Sequence, residues 1–341
     1  MTWRKFGEFP SWLEEEGISA NYAPLVGHNT IRAQALGPDF KRRSTQGEIE
    51  DMKEMVEEAM EAGALGLSCG LDYAPGRYAD RGEIVELLKV VRDYGGVFSI
   101  HWRSRGEGGI PFGVKGILES ISIAREVGIR LQLSHLHPGY AIYPLPPPDL
   151  EEAAAGATLE VVDEAIEEGI DLGFDVIPNT SGGTLYPPLL ASLLVPWLRE
   201  LGSPEELRRA LEMEDFREEV KRGILDGKCP WIDPRVDPYW AERVVIADHR
   251  ESAYVGKSLA DIAEEMEKSD LDALLELVAM DPRARIKPLE FEGEAALEAF
   301  LKHPRCAIGL DTYVFDDKWS MRYPPYYLPH PNTYRGMARY L

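Results

Sequence analysis

Two apolar segments of strand length, each ending in a histidine, constrain the fold of this chain more than any other feature. Residues 95–101 read GGVFSIH and residues 130–135 read RLQLSH, so that His101 and His135 end the two segments. The residues between them carry apolar side chains at helical spacing: Val114, Ile117, Leu118, Ile121 and Val127. This pattern predicts a β-α-β unit with parallel neighbouring strands and one histidine at the carboxyl end of each strand.

The matching positions of the two histidines indicate a metal-binding site. In α/β folds with parallel strands, ligands bind beyond the carboxyl ends of the strands. Neighbouring strands lie roughly 5 Å apart, so the imidazoles of His101 and His135 can reach one metal ion. A single histidine at a strand end is more often a hydrogen-bonded core residue. Because two of them occupy matching positions on successive strands, we favour metal binding over that structural role.

The rest of the chain continues the alternation of strand and helix patterns. Six apolar strand segments are predicted, and they end near His28, Cys69, His101, His135, Asn179 and Asp311. Segments with helical spacing separate most of them, including 45–62, 81–94 and 159–169. Residues 138–156 interrupt the rhythm, because they are too rich in proline for a strand or for the interior of a helix. We predict a long loop there.

These patterns predict the α/β class, with either a (β/α) barrel or a doubly wound sheet. We favour a (β/α)8 TIM-barrel-like fold, since polar groups at the ends of nearly all strands then converge on one mouth. Six strands do not close an eight-stranded barrel, so we expect the barrel to be incomplete. We expect residues 1–341 to form a single domain, with residues 185–240 as a helical insertion within it.

The charge balance and the cysteines restrict the partners and the compartment of this chain. Its 37 basic and 59 acidic residues give a net charge of -22, which argues against nucleic acid or an anionic membrane as partner. Cys69, Cys229 and Cys306 show no CxxC spacing, and the opening MTWRKFGEFP lacks the apolar core of a signal peptide. No apolar run approaches the roughly 20 residues that a membrane helix needs. We therefore expect a cytoplasmic protein that acts on a small molecule.

Eight segments, in order along the chain, carry a resemblance to a known family. They are APLVGHNTIR at 23–32, EAGALGLSCGLDYAPGRYAD at 61–80, GGVFSIHWR at 95–103, LSHLH at 133–137, FDVIPNTSGGT at 174–184, YVGKSLADIAEE at 254–265, HPRCAIGLD at 303–311 and HPNTYRGMARYL at 330–341. Together they resemble the D-aminoacylase (N-acyl-D-amino-acid deacylase) branch of the amidohydrolase superfamily. The resemblance implies a metal-bearing TIM barrel with one or two divalent ions such as zinc. It implies metal binding by His101 and His135, and the role of catalytic acid and base for Asp311.

The chain also differs from the family pattern. The family begins with a β-sandwich segment and a first barrel strand bearing a His-x-His metal motif, followed by a strand that supplies a cysteine ligand. We find no counterpart of these elements, so the chain resembles the middle of such an enzyme, and the resemblance implies a barrel that is incomplete on its amino-terminal side. We therefore expect the chain to pair with another copy or a complementing chain, to borrow an element from itself, or to leave an open sheet edge under residues 1–17. Locally, His137 stands where the family usually has lysine, and Ile177 stands where it usually has tyrosine.

Hydrolysis of an amide near neutral pH requires a nucleophile stronger than water and a proton for the departing nitrogen. A divalent ion held by His101 and His135 would supply the first, and Asp311 would move the proton, unless Asp311 merely caps its strand. Catalytic zinc usually has three protein ligands. Cys69 is a candidate third ligand, although a small buried thiol is the commoner role for such a cysteine.

Three further residues are candidates for binding the substrate, which we expect to be an N-acyl amino acid or a related amide. Arg103 and Tyr73 could hold its carboxylate, arginine by a bidentate pair. His137 occupies a position that faces the substrate in the family pattern. A role in a solvent-facing loop is an equally good explanation for Arg103 and Tyr73. The lone histidines His28 and His330 are interpreted as structural.

Two other functions remain open at the level of the sequence. The chain could be an inactive remnant, or one subunit of a split amidohydrolase, that binds metal or ligand without turnover. It could also be a cyclic amide hydrolase of the dihydroorotase or hydantoinase type. That group normally has a bridging lysine at the end of the fourth strand, where this chain reads SCG.

Overall fold

A computed structural model describes most of the chain. The described residues are 5–104, 113–139, 147–181, 185–229, 231–235, 237–290, 293–312 and 327–339. They form two compact units. The sheet unit comprises the described residues of Met1–Ala141, Glu152–Val176 and Glu298–Gly309, and the helical unit comprises those of Ile142–Glu151, Ile177–Leu297 and Leu310–Leu341.

The sheet unit is built on six parallel strands. In chain order they are β1 (Val26–Gly27), β2 (Gly66–Gly70), β3 (Val97–His101), β4 (Arg130–Leu133), β5 (Leu172–Val176) and β9 (Cys306–Ile308). The strands pair in the order β1-β2-β3-β4-β5-β9, and every pairing is parallel. The six strands predicted from the sequence are therefore present and adjacent in the predicted order. Within the described residues they form one open sheet, so closure into a barrel stays a prediction.

Helices connect the strands of the sheet unit. They are α1 (Glu8–Glu16), α2 (His28–Leu36), α3 (Gln46–Glu61), α4 (Arg81–Asp93), α5 (Val114–Val127) and α6 (Pro148–Glu167), with α13 (Glu294–Leu301) before β9. The start of α3 is fixed by a capping box, in which Thr45 and Glu48 exchange side-chain and backbone hydrogen bonds. Asp80 caps α4 in a similar way by accepting a hydrogen bond from the backbone N–H of Glu83. The apolar faces of α2 to α6 and of α13 are buried, as their spacing predicts, whereas α1 has no buried residue.

The two faces of the sheet differ in chemistry. On one face, the strands present buried apolar side chains: Leu67, Cys69, Phe98, Ile100, Leu131, Leu133 and Phe174. On the other face, they present polar residues of intermediate exposure: Ser68, Ser99, His101, Gln132 and Asp175. The sheet therefore has one apolar face and one polar face. Because successive side chains of a strand point to opposite faces, all polar residues share the face that carries the histidines.

Two local predictions require correction. The first predicted strand segment, which ends near His28, is only the two-residue β1, because Pro24 has no N–H to donate to a neighbouring strand. The loop expected at 138–156 ends by Pro148, where α6 begins. Proline is well tolerated in the first helical turn, and the alanine-rich residues after it favour helix.

The helical unit has its own elements. Its helices are α7 (Val195–Leu201), α8 (Pro204–Ala210), α9 (Glu214–Leu225), α10 (Trp240–Arg243), α11 (Leu259–Glu265), α12 (Asp270–Met280) and α14 (Asn332–Arg339). Two short antiparallel pairs join β6 (Leu185–Tyr186) to β10 (Leu328–Pro329) and β7 (Ile246–Asp248) to β8 (Arg285–Ile286). Helices α7 to α12 surround an apolar core that includes Leu194, Trp197, Leu198, Leu207, Leu274 and Leu277.

Helical structure between residues 185 and 240 agrees with the sequence. Its description as an insertion in a single domain stays a prediction. In the described part of the chain, none of the helices has the length and apolar character to cross a membrane.

Candidate metal-binding site

His101 and His135 lie side by side at the carboxyl ends of β3 and β4. His101 is the last residue of β3, and His135 follows the end of β4 by two residues. Nδ1 of His101 is 2.8 Å from Nε2 of His135, and the ring centroids are 4.6 Å apart. The structure thus brings together the two residues that the sequence proposes as a metal-binding pair.

Asp175 holds the backbone of His135 in place. His135 has a φ of 40°, in the left-handed region that costs a residue with a side chain roughly 1–2 kcal/mol. Its backbone N–H donates to Oδ1 of Asp175 at 2.8 Å, while Oδ2 accepts from the side chain of Gln132 at 2.8 Å. A charge-assisted hydrogen bond of this kind is worth about 1.5–3 kcal/mol, which is enough to offset the backbone strain.

The position of the Asp175 carboxylate requires a glycine at residue 309, directly after β9. A Cβ on Gly309 would lie 2.2 Å from Oδ1 of Asp175, so only glycine leaves room for the carboxylate. The sequence analysis did not select Asp175. The alternation of Leu172, Phe174 and Val176 in β5 places Asp175 on the opposite, polar face of the strand, and this pattern could have predicted it as a site residue.

Asp72 contacts the other edge of the His101 ring. Nε2 of His101 is 3.2 Å from Oδ2 of Asp72, and the backbone N–H of Ser104 donates to Oδ1 of Asp72 at 3.0 Å. The ring of Tyr73 packs on that of His101 with centroids 4.7 Å apart. Asp72 was also missed, although it stands just beyond the carboxyl end of β2, where functional side chains of parallel sheets gather.

Cys69 is not brought to the histidines. The register pairs Gly70 with His101 and Cys69 with Ile100, so the thiol shares the buried apolar face. Burial there raises the pKa of Cys69. Since the thiolate is the form that binds metal, a buried neutral thiol is a poor ligand.

The candidate substrate-binding residues lie close to the pair. Tyr73 is exposed and packs on His101, as described above. His137 is exposed, and its ring lies 4.7 Å from that of Trp102. Arg103 makes contacts within the protein: Nε donates to Glu119 at 3.2 Å, and Nη1 donates to the backbone carbonyl of Leu71 at 3.4 Å. These contacts fit a role for Arg103 in supporting the segment that carries Asp72 and Tyr73.

Asp311 belongs to the helical unit. It follows β9 by three residues, is exposed, and has a φ of 44°. Its proposed role as acid and base stays a prediction.

The two histidines interpreted as structural are engaged with buried partners. Nε2 of His28 is 2.7 Å from the carboxylate of Glu83, and both side chains are fully buried. Nε2 of His330 lies 3.0 Å from Oγ of Ser181, and burial lowers the pKa of His330 to about 4.

The donor chemistry of the pair suits a divalent cation. Two nitrogens that each lie about 2.0–2.1 Å from a tetrahedral zinc ion are about 3.3 Å apart, so the observed 2.8 Å needs only a small opening. Among the residues that the structure describes, no group of three or more His, Cys, Asp or Glu side chains is arranged as a complete metal site. The pair therefore fits part of a ligand set.

Sequence comparisons show which known proteins this chain resembles. No family model matches the chain. D-aminoacylase of Alcaligenes xylosoxydans xylosoxydans is 30% identical over 181 residues, which are 53% of this chain and 34% of that protein. N-acyl-D-glutamate deacylase of the same organism is 31% identical over 176 residues, which are 52% of this chain and 33% of that protein. Over about half of its length, the chain is therefore similar in sequence to the D-aminoacylases.

Solved structures give the same result at the level of the fold. A crystal structure of D-aminoacylase superposes with a TM-score of 0.54 at 24% identity, covering 89% of this chain and 51% of that one. N-acyl-D-glutamate deacylase from Bordetella bronchiseptica, solved in complex with zinc and a phosphonate inhibitor, superposes with a TM-score of 0.54 at 22% identity. It covers 90% of this chain and 51% of that one. These structures confirm the predicted α/β fold class, and the sequence comparisons confirm the resemblance to D-aminoacylase and N-acyl-D-glutamate deacylase. The chain spans about half the length of these solved relatives.

Proposed function

We propose that this chain is a metal-dependent amidohydrolase that cleaves the acyl amide of N-acyl-D-amino acids. The observation that carries the proposal is the facing pair of imidazole nitrogens, Nδ1 of His101 and Nε2 of His135, at the carboxyl ends of adjacent parallel strands. The names of the relatives support the substrate class, and the zinc complex of one of them supports zinc as the metal.

The residues of this chain would divide the chemistry as follows. His101 and His135 would hold one divalent ion, which supplies Lewis-acid chemistry that activates water and polarises the amide carbonyl. The carboxylate of Asp311 would accept a proton from the attacking water as the new C–O bond forms. It would return that proton to the amine nitrogen as the C–N bond breaks. The products are a carboxylic acid and a free D-amino acid.

Substrate recognition would fall to the residues around the pair. Tyr73 and His137 present exposed rings near His101 and Trp102 and could pack against the substrate. Arg103 would act by holding the segment from Leu71 to Arg77 in place. We further propose that the protein works in the cytoplasm, with a second copy or a complementing chain supplying the remaining ligands.

The test combines metal analysis with an activity assay on the full chain. Purified protein is loaded with zinc, and amine release is measured from N-acetyl-D-amino acids, with the L-isomers as stereochemical control. Wild type should bind zinc and hydrolyse the D-substrates. His101→Ala and His135→Ala should each lose most of the bound zinc and the activity. Asp311→Asn should keep zinc and lose at least 100-fold in rate, as expected for a lost general acid and base.

His303→Ala is the matched control, because His303 pairs with Asp163 at 3.0 Å and has no second histidine facing it among the described contacts. This variant should retain zinc and activity. Equal zinc content in wild type and both pair variants would contradict the metal site. Zinc binding without turnover of any substrate, both by the chain alone and with the complementing chain added, would contradict the enzymatic proposal and favour a remnant that binds metal alone.

A further inference from the structure

The carboxylate of Asp72 is held in a fixed orientation by the segment that follows β3. Its Oδ1 accepts the backbone N–H of Ser104 at 3.0 Å, and its Oδ2 accepts the hydroxyl of the same residue. The side chain of Asp72 is only 9% exposed. Oδ2 also lies 3.2 Å from Nε2 of His101. The carboxylate of Asp72 thus faces Nε2 of His101, whereas the proposed function uses Nδ1 of His101 to bind the metal.

The contact decides which nitrogen of His101 carries the proton. An ionised carboxylate accepts hydrogen bonds and donates none, so Nε2 of His101 must be the donor in this contact. A neutral imidazole that carries its proton on Nε2 has its lone pair on Nδ1. Nδ1 is the nitrogen that faces His135 at 2.8 Å.

Asp72 is not itself placed as a ligand of the same ion. It lies at the Nε2 edge of the ring, whereas His135 lies at the Nδ1 edge, and these edges point in different directions. Carboxylates that accept the second N–H of a metal-binding histidine fix its tautomer and ring orientation and raise its basicity. The packing of Tyr73 on the same ring adds a second restraint on its orientation.

We propose that Asp72 is a positioning residue that holds His101 in the Nε2–H tautomer, so that Nδ1 is available to bind the metal. Only the part of this inference that concerns metal binding rests on the proposed function. The tautomer of His101 can be measured without any metal and without activity.

Asp72→Asn is the informative substitution because it keeps the shape of the side chain. The amide carbonyl is expected to keep the hydrogen bond from the backbone of Ser104, which turns the amide NH2 towards Nε2 of His101. His101 must then accept at Nε2 and carry its proton on Nδ1, the nitrogen needed for the metal. We expect zinc affinity to fall by about 10- to 100-fold, the usual effect of losing such a carboxylate.

The experiment uses the full chain with ¹⁵N-labelled histidine. The tautomer of His101 is read from its ring nitrogen shifts, with the resonance assigned by its loss in His101→Gln, and zinc affinity is measured by chelator competition. Wild type should show Nε2–H, and Asp72→Asn should show Nδ1–H together with weakened zinc binding. Asp163→Asn is the matched control, because Asp163 contacts Nε2 of His303 at 3.0 Å. It should leave both the tautomer of His101 and the zinc affinity unchanged.

The outcomes separate this inference from the proposed function. If wild type shows Nδ1–H at His101, or if Asp72→Asn binds zinc as tightly as wild type, the positioning role is overturned, whatever the activity. If wild type shows Nε2–H and Asp72→Asn reverses it, but zinc binds to neither protein, the proposed metal site fails while the hydrogen-bond assignment stands. Should Asp72→Asn fold poorly, the wild-type tautomer and the milder Ser104→Ala variant decide the point. Ser104→Ala should weaken zinc binding by a few-fold, and unchanged binding in that variant would count against the proposal.

Discussion

Replacing Glu83 with glutamine should destabilise the sheet unit far more than an ordinary surface substitution does. Glu83 lies on α4, and its side chain and those of His28 and Arg32 are all fully buried. Its carboxylate contacts Nε2 of His28 at 2.7 Å and Nε of Arg32 at 3.2 Å, and it accepts the hydroxyl of Ser44 at 2.7 Å. Glutamine keeps the shape but removes the charge, which leaves the guanidinium of Arg32 buried without a counter-charge.

The magnitude follows from this burial. Removing one partner of a buried ion pair typically costs about 3–5 kcal/mol, because the remaining charge stays in the protein interior. Glu86→Gln is the matched control, since Glu86 lies one turn along the same helix and pairs with Lys89 at the surface. Loss of an exposed pair costs about 0.2–1 kcal/mol. Urea unfolding followed by circular dichroism measures both free energies, with unchanged slopes expected if the folded states are alike.

A double-mutant cycle tests whether charge is the cause. Arg32→Met combined with Glu83→Gln removes both charges, so the double variant should be destabilised by less than the sum of the two single variants. A coupling of about 1 kcal/mol or more is expected for groups in direct contact. Equal effects of Glu83→Gln and Glu86→Gln, or strict additivity in the cycle, would refute the reasoning.

Two further predictions concern Gly309 and His330. Gly309→Ala would place its Cβ 2.2 Å from the carboxylate of Asp175, so it should lower the unfolding free energy by about 1–3 kcal/mol and also weaken zinc binding through His135. Gly156→Ala, in α6 with no described atom within 4 Å of its Cβ, should instead be neutral or stabilising by up to about 1 kcal/mol; urea titrations that rank the two alike would contradict this. Burial lowers the pKa of His330 to about 4, so the folded protein favours the neutral imidazole. Protonation of His330 in the unfolded chain therefore reduces the free energy of unfolding as the pH falls from about 6.5 towards 4, and the full stability is present above about pH 6.5. Between pH 7 and pH 5, wild type should lose about 2 kcal/mol more than His330→Gln, and parallel pH profiles would show that His330 does not contribute.

The meeting of His101 and His135 could be predicted from the sequence for a clear physical reason. A β-α-β unit places successive parallel strands side by side, and each histidine lies at or within two residues of the carboxyl end of its strand. The position of Cys69 could not be predicted in the same way. Whether it faces the histidines depends on the register between β2 and β3, and a shift of one residue would reverse the answer.

The carboxylates around the pair were missed because their partners are distant in the chain. Asp72 contacts His101, 29 residues away, and Asp175 contacts the backbone of His135, 40 residues away. Such contacts depend on loop conformations beyond the strand ends, for which hydrophobic periodicity carries no information. The start of α6 was missed for a related reason. Proline excludes a helix interior but is compatible with a first turn, so a proline-rich stretch marks a helix boundary poorly.

The polar face of the sheet shows how one strand pattern can serve both stability and chemistry. Ser99 pairs with Ser134 at 3.1 Å, and Gln132 pairs with Asp175 at 2.8 Å, so these half-buried groups satisfy one another across neighbouring strands. Half-buried polar groups that pair in this way cost little stability, whereas unpaired ones would each cost about 1–3 kcal/mol. At the carboxyl edge, Asp175 also accepts the backbone N–H of His135. Asp175 therefore serves both the polar face of the sheet and the backbone of one histidine of the pair, and a substitution at Asp175 should affect stability and metal binding together.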